Sequence, residues 1–185
     1  MQGRNRLRAP VTALAIATLL FASLARADEV IDSSYTKHDY AKCKEGKQVD
    51  DVHNYRCEGH VGTLVNVYMA EDSTTVDFGF QGDKVDHDQF PTSFVFANDT
   101  IEWRGRVRTG KMTPYAAILR YDVGPAIGGP FKPVLYVYHI KGLQGSCIVG
   151  SVDGAHPDAN ERARKLADEV SAGFRCGTDE RRAME

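Results

Sequence analysis

Four cysteines, Cys43, Cys57, Cys147 and Cys176, constrain this chain more than any other feature. In an oxidising compartment an even number of cysteines closes covalent loops that the fold must accommodate, and four of them allow three pairings. The expected pairing joins Cys43 to Cys57 and Cys147 to Cys176, because each pair brackets a short local unit able to close early. Counted inclusively the loops hold 15 and 30 residues. In the chain-entropy account they contribute about 3 and about 3.6 kcal/mol.

The compartment is read from residues 1–27. Arg4, Arg6 and Arg8 precede an apolar run from Val11 to Leu24, and Ala25-Arg26-Ala27 forms a small-residue exit. That is the build of a secretory signal peptide. The run has 14 residues and includes Thr12, Thr18 and Ser23, whereas a helix needs about 20 apolar residues to cross a bilayer. The expectation is cleavage after Ala27, a periplasmic product starting at Asp28, and no membrane span after cleavage. Neither an adjacent arginine pair nor a cysteine at the cleavage point marks a different export route or a lipid anchor.

Removing that leader takes four of the 23 basic residues, leaving 19 against 25 acidic ones, a net charge of −6 with the histidines neutral. Such a balance excludes a nucleic-acid binder, whose affinity rests on basic surface. The remaining 158 residues are the size of one domain, burying roughly 68–70% of its unfolded surface. Residues 28–177 are read as that domain and 178–185 as a polar tail.

Residues Gly62 to Ala70, GTLVNVYMA, are apolar and β-branched. The turn Glu71-Asp72-Ser73 follows, and then Val76, Phe78 and Phe80 alternate with Thr75 and Asp77. This predicts a hairpin, with a short strand at Asn54 to Glu58 ahead of it. Gln81 to Ser93 is polar and breaker-rich, a loop. Alternation returns from Ile101 to Arg108, with Ile101, Trp103 and Val107 on a core face and Glu102, Arg104, Arg106 and Arg108 on a wet one.

Further strands are predicted at 115–121, 134–140 and 146–152. The first two are separated by Gly124 to Pro133, GPAIGGPFKP, in which six of ten residues are Gly or Pro. That segment is neither strand interior nor helix, and reads as a connector or a lid. Gly142-Leu143-Gln144-Gly145 supplies a turn before the last strand. From Pro157 the period changes, because Ala159, Ala163, Leu166, Val170 and Phe174 recur every three or four positions, the spacing of one helical face. Glu161 with Lys165 and Arg164 with Asp168 are expected as i,i+4 pairs on its wet side. The predicted class is α+β: a mostly antiparallel sheet of about six or seven strands with one C-terminal helix packed on it, in two layers.

Motifs that carry chemistry are sparse. Ser151, Asp153 and His156 lie close in sequence, but a hydrolytic triad is defined by geometry, and the reading preferred is a strand end, a turn and a helix start. Asp83, Asp86, His87 and Asp88 gather oxygen and nitrogen donors without a calcium-loop spacing, and are read as a solvated acidic loop, so no metal or other cofactor is assigned. His38, His53, His60 and His139 show no ligand spacing. Tyr115, Tyr121, Tyr136 and Tyr138, with Phe94, Phe96 and Trp103, read as core and sheet packing. Arg104, Arg106 and Arg108 are the candidate binding residues, a strand ladder at intervals of about 6.6 Å whose guanidinium forks suit carboxylate or phosphate groups.

Several blocks together carry a resemblance: Cys43 ahead of Tyr55-Arg56-Cys57-Glu58-Gly59, then Asn98-Asp99-Thr100-Ile101-Glu102-Trp103-Arg104, and Pro157-Asp158-Ala159-Asn160 through Phe174-Arg175-Cys176-Gly177. The chain resembles small exported proteins of alphaproteobacteria with no assigned activity, which implies a compartment and a shared fold. Tyr55 to Phe80, with VNVYMAEDSTTVDF, is similar to the opening of periplasmic C-type lysozyme inhibitors. Their inhibitory Ser-Gly loop has no counterpart here. The leading expectation is a soluble, non-enzymatic accessory or binding protein of the cell envelope, its partner an envelope protein or an anionic envelope ligand. The alternatives are a lysozyme-inhibitor-like protein and an envelope hydrolase.

Overall fold

The computed structural model describes residues 29–79, 90–92, 94–141, 145–170 and 173–184. Its strands are β1 (Val30–Lys37), β2 (Lys44–Glu45), β3 (His53–Glu58), β4 (Leu64–Met69), β5 (Ser73–Phe78), β6 (Phe94–Arg108), β7 (Lys111–Gly124), β8 (Lys132–Ile140), β9 (Ser146–Asp153) and β10 (Arg182–Met184). A single α-helix among the described residues, α1 (Ala159–Val170), lies between the last two. The sheet order is β10-β9-β8-β7-β6-β5-β4-β3-β2, with β1 off this path against β6.

At 15 residues β6 is long enough to take two neighbours along one edge. The parallel β5 sets Ser73 opposite Val95, and the antiparallel β1 runs from Val30 opposite Val107 to Lys37 opposite Thr100. Beyond β5 the sheet folds back over β7, β8 and β9. The Val76 N–H donates to the Tyr121 hydroxyl (3.1 Å), the Phe78 N–H to Ser146 Oγ (2.9 Å), and the Phe78 and Tyr138 rings meet edge-on at 5.1 Å. Between these layers lies the larger core, built on Val65, Val67, Phe78, Ile101, Trp103, Leu119, Tyr121 and Tyr138. On the opposite face Ala116, Ile118, Leu135, Val137 and Val149 receive Ala163, Leu166 and Ala167 of α1. Both faces of β7 and β8 are therefore dry, which is why Ala116 to Leu119 and Leu135 to Tyr138 are unbroken apolar runs.

The α+β class, the C-terminal helix and the two disulfides agree with the sequence reading. Six or seven mostly antiparallel strands in two layers do not. The sheet has ten strands, its β5–β6 and β9–β10 pairings are parallel, and the folded-back strands add a third layer. The extra strands are short or polar: β1 reads VIDSSYTK, β2 is KE, and β10, RAM, comes from the segment read as a polar tail. Gly150 makes the β10 pairing feasible, since a Cβ there would run into the Arg182 carbonyl.

Cys43 is bonded to Cys57 and Cys147 to Cys176, with Cα separations of 4.9 and 5.9 Å. The second bond ties the chain beyond α1 to β9. No helix of the described residues is long and apolar enough to cross a membrane. The signal peptide, the acidic loop at Asp83 to Asp88 and the turn at 142–144 lie outside the described residues.

A buried carboxylate on the far side of the folded-back strands gives a pH prediction. Asp77 is 5% exposed, and its Oδ1 accepts from Asn66 Nδ2 at 2.7 Å. Burial pushes its carboxyl up to about 6, with Asn66, Tyr68 and Arg56 pulling the other way. The folded state then holds this proton where the unfolded state, near the ordinary value of about 3.9, has lost it. Its contribution is favourable below about pH 4 and disappears as pH rises through about 6, a change of about 3 kcal/mol. Urea titrations at acidic and mildly alkaline pH should show Asp77→Asn gaining stability over the parent only on the alkaline side.

Candidate functional site

Where α1 crosses the sheet, two of its charged residues, Arg164 and Asp168, turn inward. Arg164 and Asp168 were expected to pair with each other on the wet side of the helix, but each reaches a residue of β6. The Arg104 guanidinium forks onto Asp168, Nε to Oδ1 at 2.8 Å and Nη2 to Oδ2 at 2.7 Å, and the Tyr115 hydroxyl donates to the same Oδ1 at 2.5 Å. Arg164 donates through Nε to Glu102 Oε1 (2.6 Å) and through Nη2 to the Tyr35 hydroxyl (2.9 Å). Ser33 of β1 stitches the two pairs together, donating to Glu102 Oε1 at 2.6 Å and accepting from Arg104 Nη1 at 3.2 Å.

The Glu102 side chain is only 8% exposed and that of Arg104 only 16%. Such charges are desolvated, and their burial is offset because each is paired. Burial alone would push the Asp168 carboxyl up, yet the Arg104 fork and the Tyr115 hydroxyl outweigh it and hold it below the usual carboxylate range. Conversely, the hydrogen bond to Asp168 raises the Arg104 guanidinium. Burial and then Asp168 push the Tyr115 phenol up, so it stays a donor at neutral pH.

The arginine ladder is thus split. Arg104 is committed to Asp168, whereas Arg106 (3.2 Å) and Arg108 (3.4 Å) share Glu29 and remain largely exposed. On the other helical pair, Lys165 faces Glu169 at 3.9 Å in place of Glu161.

Beside the network opens a cleft of about 330 Å³. Ile118 and Leu135 give it an apolar floor, and Tyr35, Thr100, Glu102, Arg120, Asn160 and Arg164 contribute polar walls. Glu102 is neutralised by Arg164 and Asp99 by Lys37 at 3.3 Å. Arg120 differs: Nη1 donates to the Gly154 carbonyl at 2.8 Å and Nη2 reaches Asn160 Oδ1 at 3.4 Å, with no carboxylate partner among the described residues. It is a cation beside an apolar floor, its charge left uncompensated by any described carboxylate. Sequence reasoning missed Arg120 and Asn160, although a lone arginine between Leu119 and Tyr121 in an otherwise apolar strand was a visible signal.

The other clusters are not assembled for chemistry. His156 Nδ1 contacts the Asp158 carboxylate and Nε2 contacts Arg162, so neither ring nitrogen is turned to Ser151. Asp153 Oδ1 accepts from the Ala155 N–H (2.9 Å) within its own turn. His38, Cys43 and Cys57 bring ligand atoms within 4.8 Å of one another, but both sulfurs are consumed by the disulfide and His38 Nε2 is hydrogen-bonded to Thr36 Oγ1 at 2.8 Å. Open clefts of about 500 and 720 Å³ around His53 and His38 are lined by neither His139 nor His156. Compared with models of protein families, with curated proteins and with solved structures, the chain matches none.

Proposed function

We propose that this is a non-enzymatic accessory or binding protein exported to the periplasm, and that it takes an anionic group of an envelope component in the cleft between α1 and the sheet. The observation that carries this reading is Arg120, a guanidinium with no carboxylate partner among the described residues, beside an apolar floor and within reach of the Asn160 amide. A carboxylate or phosphate would meet free N–H donors there, with Ile118 and Leu135 covering the adjoining apolar part of the ligand. Glu102 and Asp99, each already neutralised, would discriminate by position without repelling the anion. The disulfides accord with an oxidising compartment.

Affinity capture from envelope extract, with the oxidised protein as bait and Arg120→Ser as control, tests the reading. Loss of a charge-assisted hydrogen bond should weaken retention of the ligand about tenfold or more. Equal retention by the two baits would remove the cleft from the account.

A further inference from the structure

Among the described residues, β1 is the longest strand with one edge wholly unpaired. Among the described residues it pairs with β6 alone, and Val30, Ile31 and Tyr35 are 58%, 43% and 56% exposed. Antiparallel ladders alternate residues that bond their neighbour with residues that do not. The phase here is fixed by two contacts. His38 N–H donates to the Asp99 carbonyl at 2.8 Å, and the Ser33 N–H goes to the Asp32 carboxylate, also at 2.8 Å. Even-numbered residues of β1 therefore bond β6, and Ile31, Ser33, Tyr35 and Lys37 turn their N–H and C=O groups to the open edge.

We propose that this edge pairs with the same edge of a second copy of the chain, antiparallel about a two-fold axis through Ser33. In that register Ile31 lies opposite the copy's Tyr35, Glu29 opposite Lys37, Val30 opposite Thr36, Asp32 opposite Ser34, and Ser33 opposite itself. An aromatic side chain meets a β-branched one, and at both ends Glu29, shared with Arg106 and Arg108, meets Lys37, shared with Asp99, pairs of the kinds that stabilise neighbouring strands. Neighbouring registers are poorer: a shift one way places Asp32 against Asp32, and a shift the other way places Ile31 against Lys37. About six main-chain hydrogen bonds would link the copies, two for each of the three central pairs, the Ser33 N–H exchanging the Asp32 carboxylate for the copy's Ser33 carbonyl. The closed two-fold arrangement also removes the exposed edge that would otherwise invite open-ended association. Because the strand contact is small, the dimer belongs to the weak class, with a micromolar or weaker Kd.

Sedimentation velocity over a concentration series should show the wild-type protein passing from monomer to dimer. Ile31→Pro removes an outward N–H without touching the β6 ladder, so the monomer should fold unchanged. Losing one bond per copy should weaken association about a hundredfold. Because the protein has no free cysteine, register is read by mixing Ile31→Cys with Tyr35→Cys: the mixture should cross-link and neither variant alone should. A wild type that stays monomeric throughout, an Ile31→Pro variant that dimerises like the parent, or cross-linking of Ile31→Cys with itself would each overturn the proposal. So would protection of the β1 amides that appears only on adding envelope extract, which would give the edge to a different strand.

Discussion

Replacing Trp103 with alanine is expected to cost about 3–5 kcal/mol, the range for deleting a large buried aromatic. The side chain is fully buried at the centre of the larger core, its Nε1–H donates to Thr36 Oγ1 at 2.8 Å, and Phe78 meets it edge-on at 5.3 Å. Gly59 closes over the ring, because a Cβ there would stand 2.6 Å from it. With Thr36 of β1, Phe78 of β5 and Gly59 beyond β3 all against one indole, the site has little freedom to collapse around the hole. Trp103→Phe should recover more than half of the loss. Urea unfolding followed by far-ultraviolet circular dichroism measures both, the chain having no second tryptophan for fluorescence. A cost below about 1 kcal/mol, the level of a typical point mutation, would contradict the packing described.

Removing the Cys147–Cys176 bond with paired alanines should be the larger of the two disulfide effects, about 3.6 kcal/mol against about 3 for Cys43–Cys57. The longer loop contains α1, and the bond tethers the chain on its far side, ahead of β10. Amide exchange in the variant should therefore rise first in α1 and β10, while β3, β4 and β5 keep their protection. The reverse order would mean that the helix is held by its sheet contacts alone, through Leu166, Ala163 and the two crossed ion pairs.

How far the fold was legible depended on how local its causes were. The alternation of β4 and β5 and the three-to-four spacing of α1 are local; the two strands lie within two residues of where the pattern placed them, and α1 starts within two residues of Pro157 but ends at Val170, short of Phe174. The strand β6 was seen only from Ile101 because Ala97-Asn98-Asp99-Thr100 breaks the alternation, and the irregularity in pairing between Ala97 and Ile101 marks the same spot. What stayed hidden is non-local. Nothing in VIDSSYTK announces a strand until β6 offers it an edge, and RAM pairs only where Gly150 leaves room. The candidate site shows the same division. Arg164 and Asp168 are four apart on one helix, so local spacing paired them, whereas the sheet supplied Glu102 and Arg104, each a closer and drier partner. The unbroken apolar runs of β7 and β8 held a sign of two-sided burial that the pattern reading did not use, and Arg120 was passed over with it.

We propose that the anion is held at Arg120 in the cleft, and not along the strand ladder. The most direct measurement is a two-dimensional amide NMR titration of the protein with inorganic phosphate as the probe, repeated on Arg120→Ser. Saturable shifts gathered at Thr100, Arg120, Asn160 and Arg164 are expected, and they should vanish in the variant. Shifts centred on Arg106 and Arg108, or an unchanged response in Arg120→Ser, would contradict it.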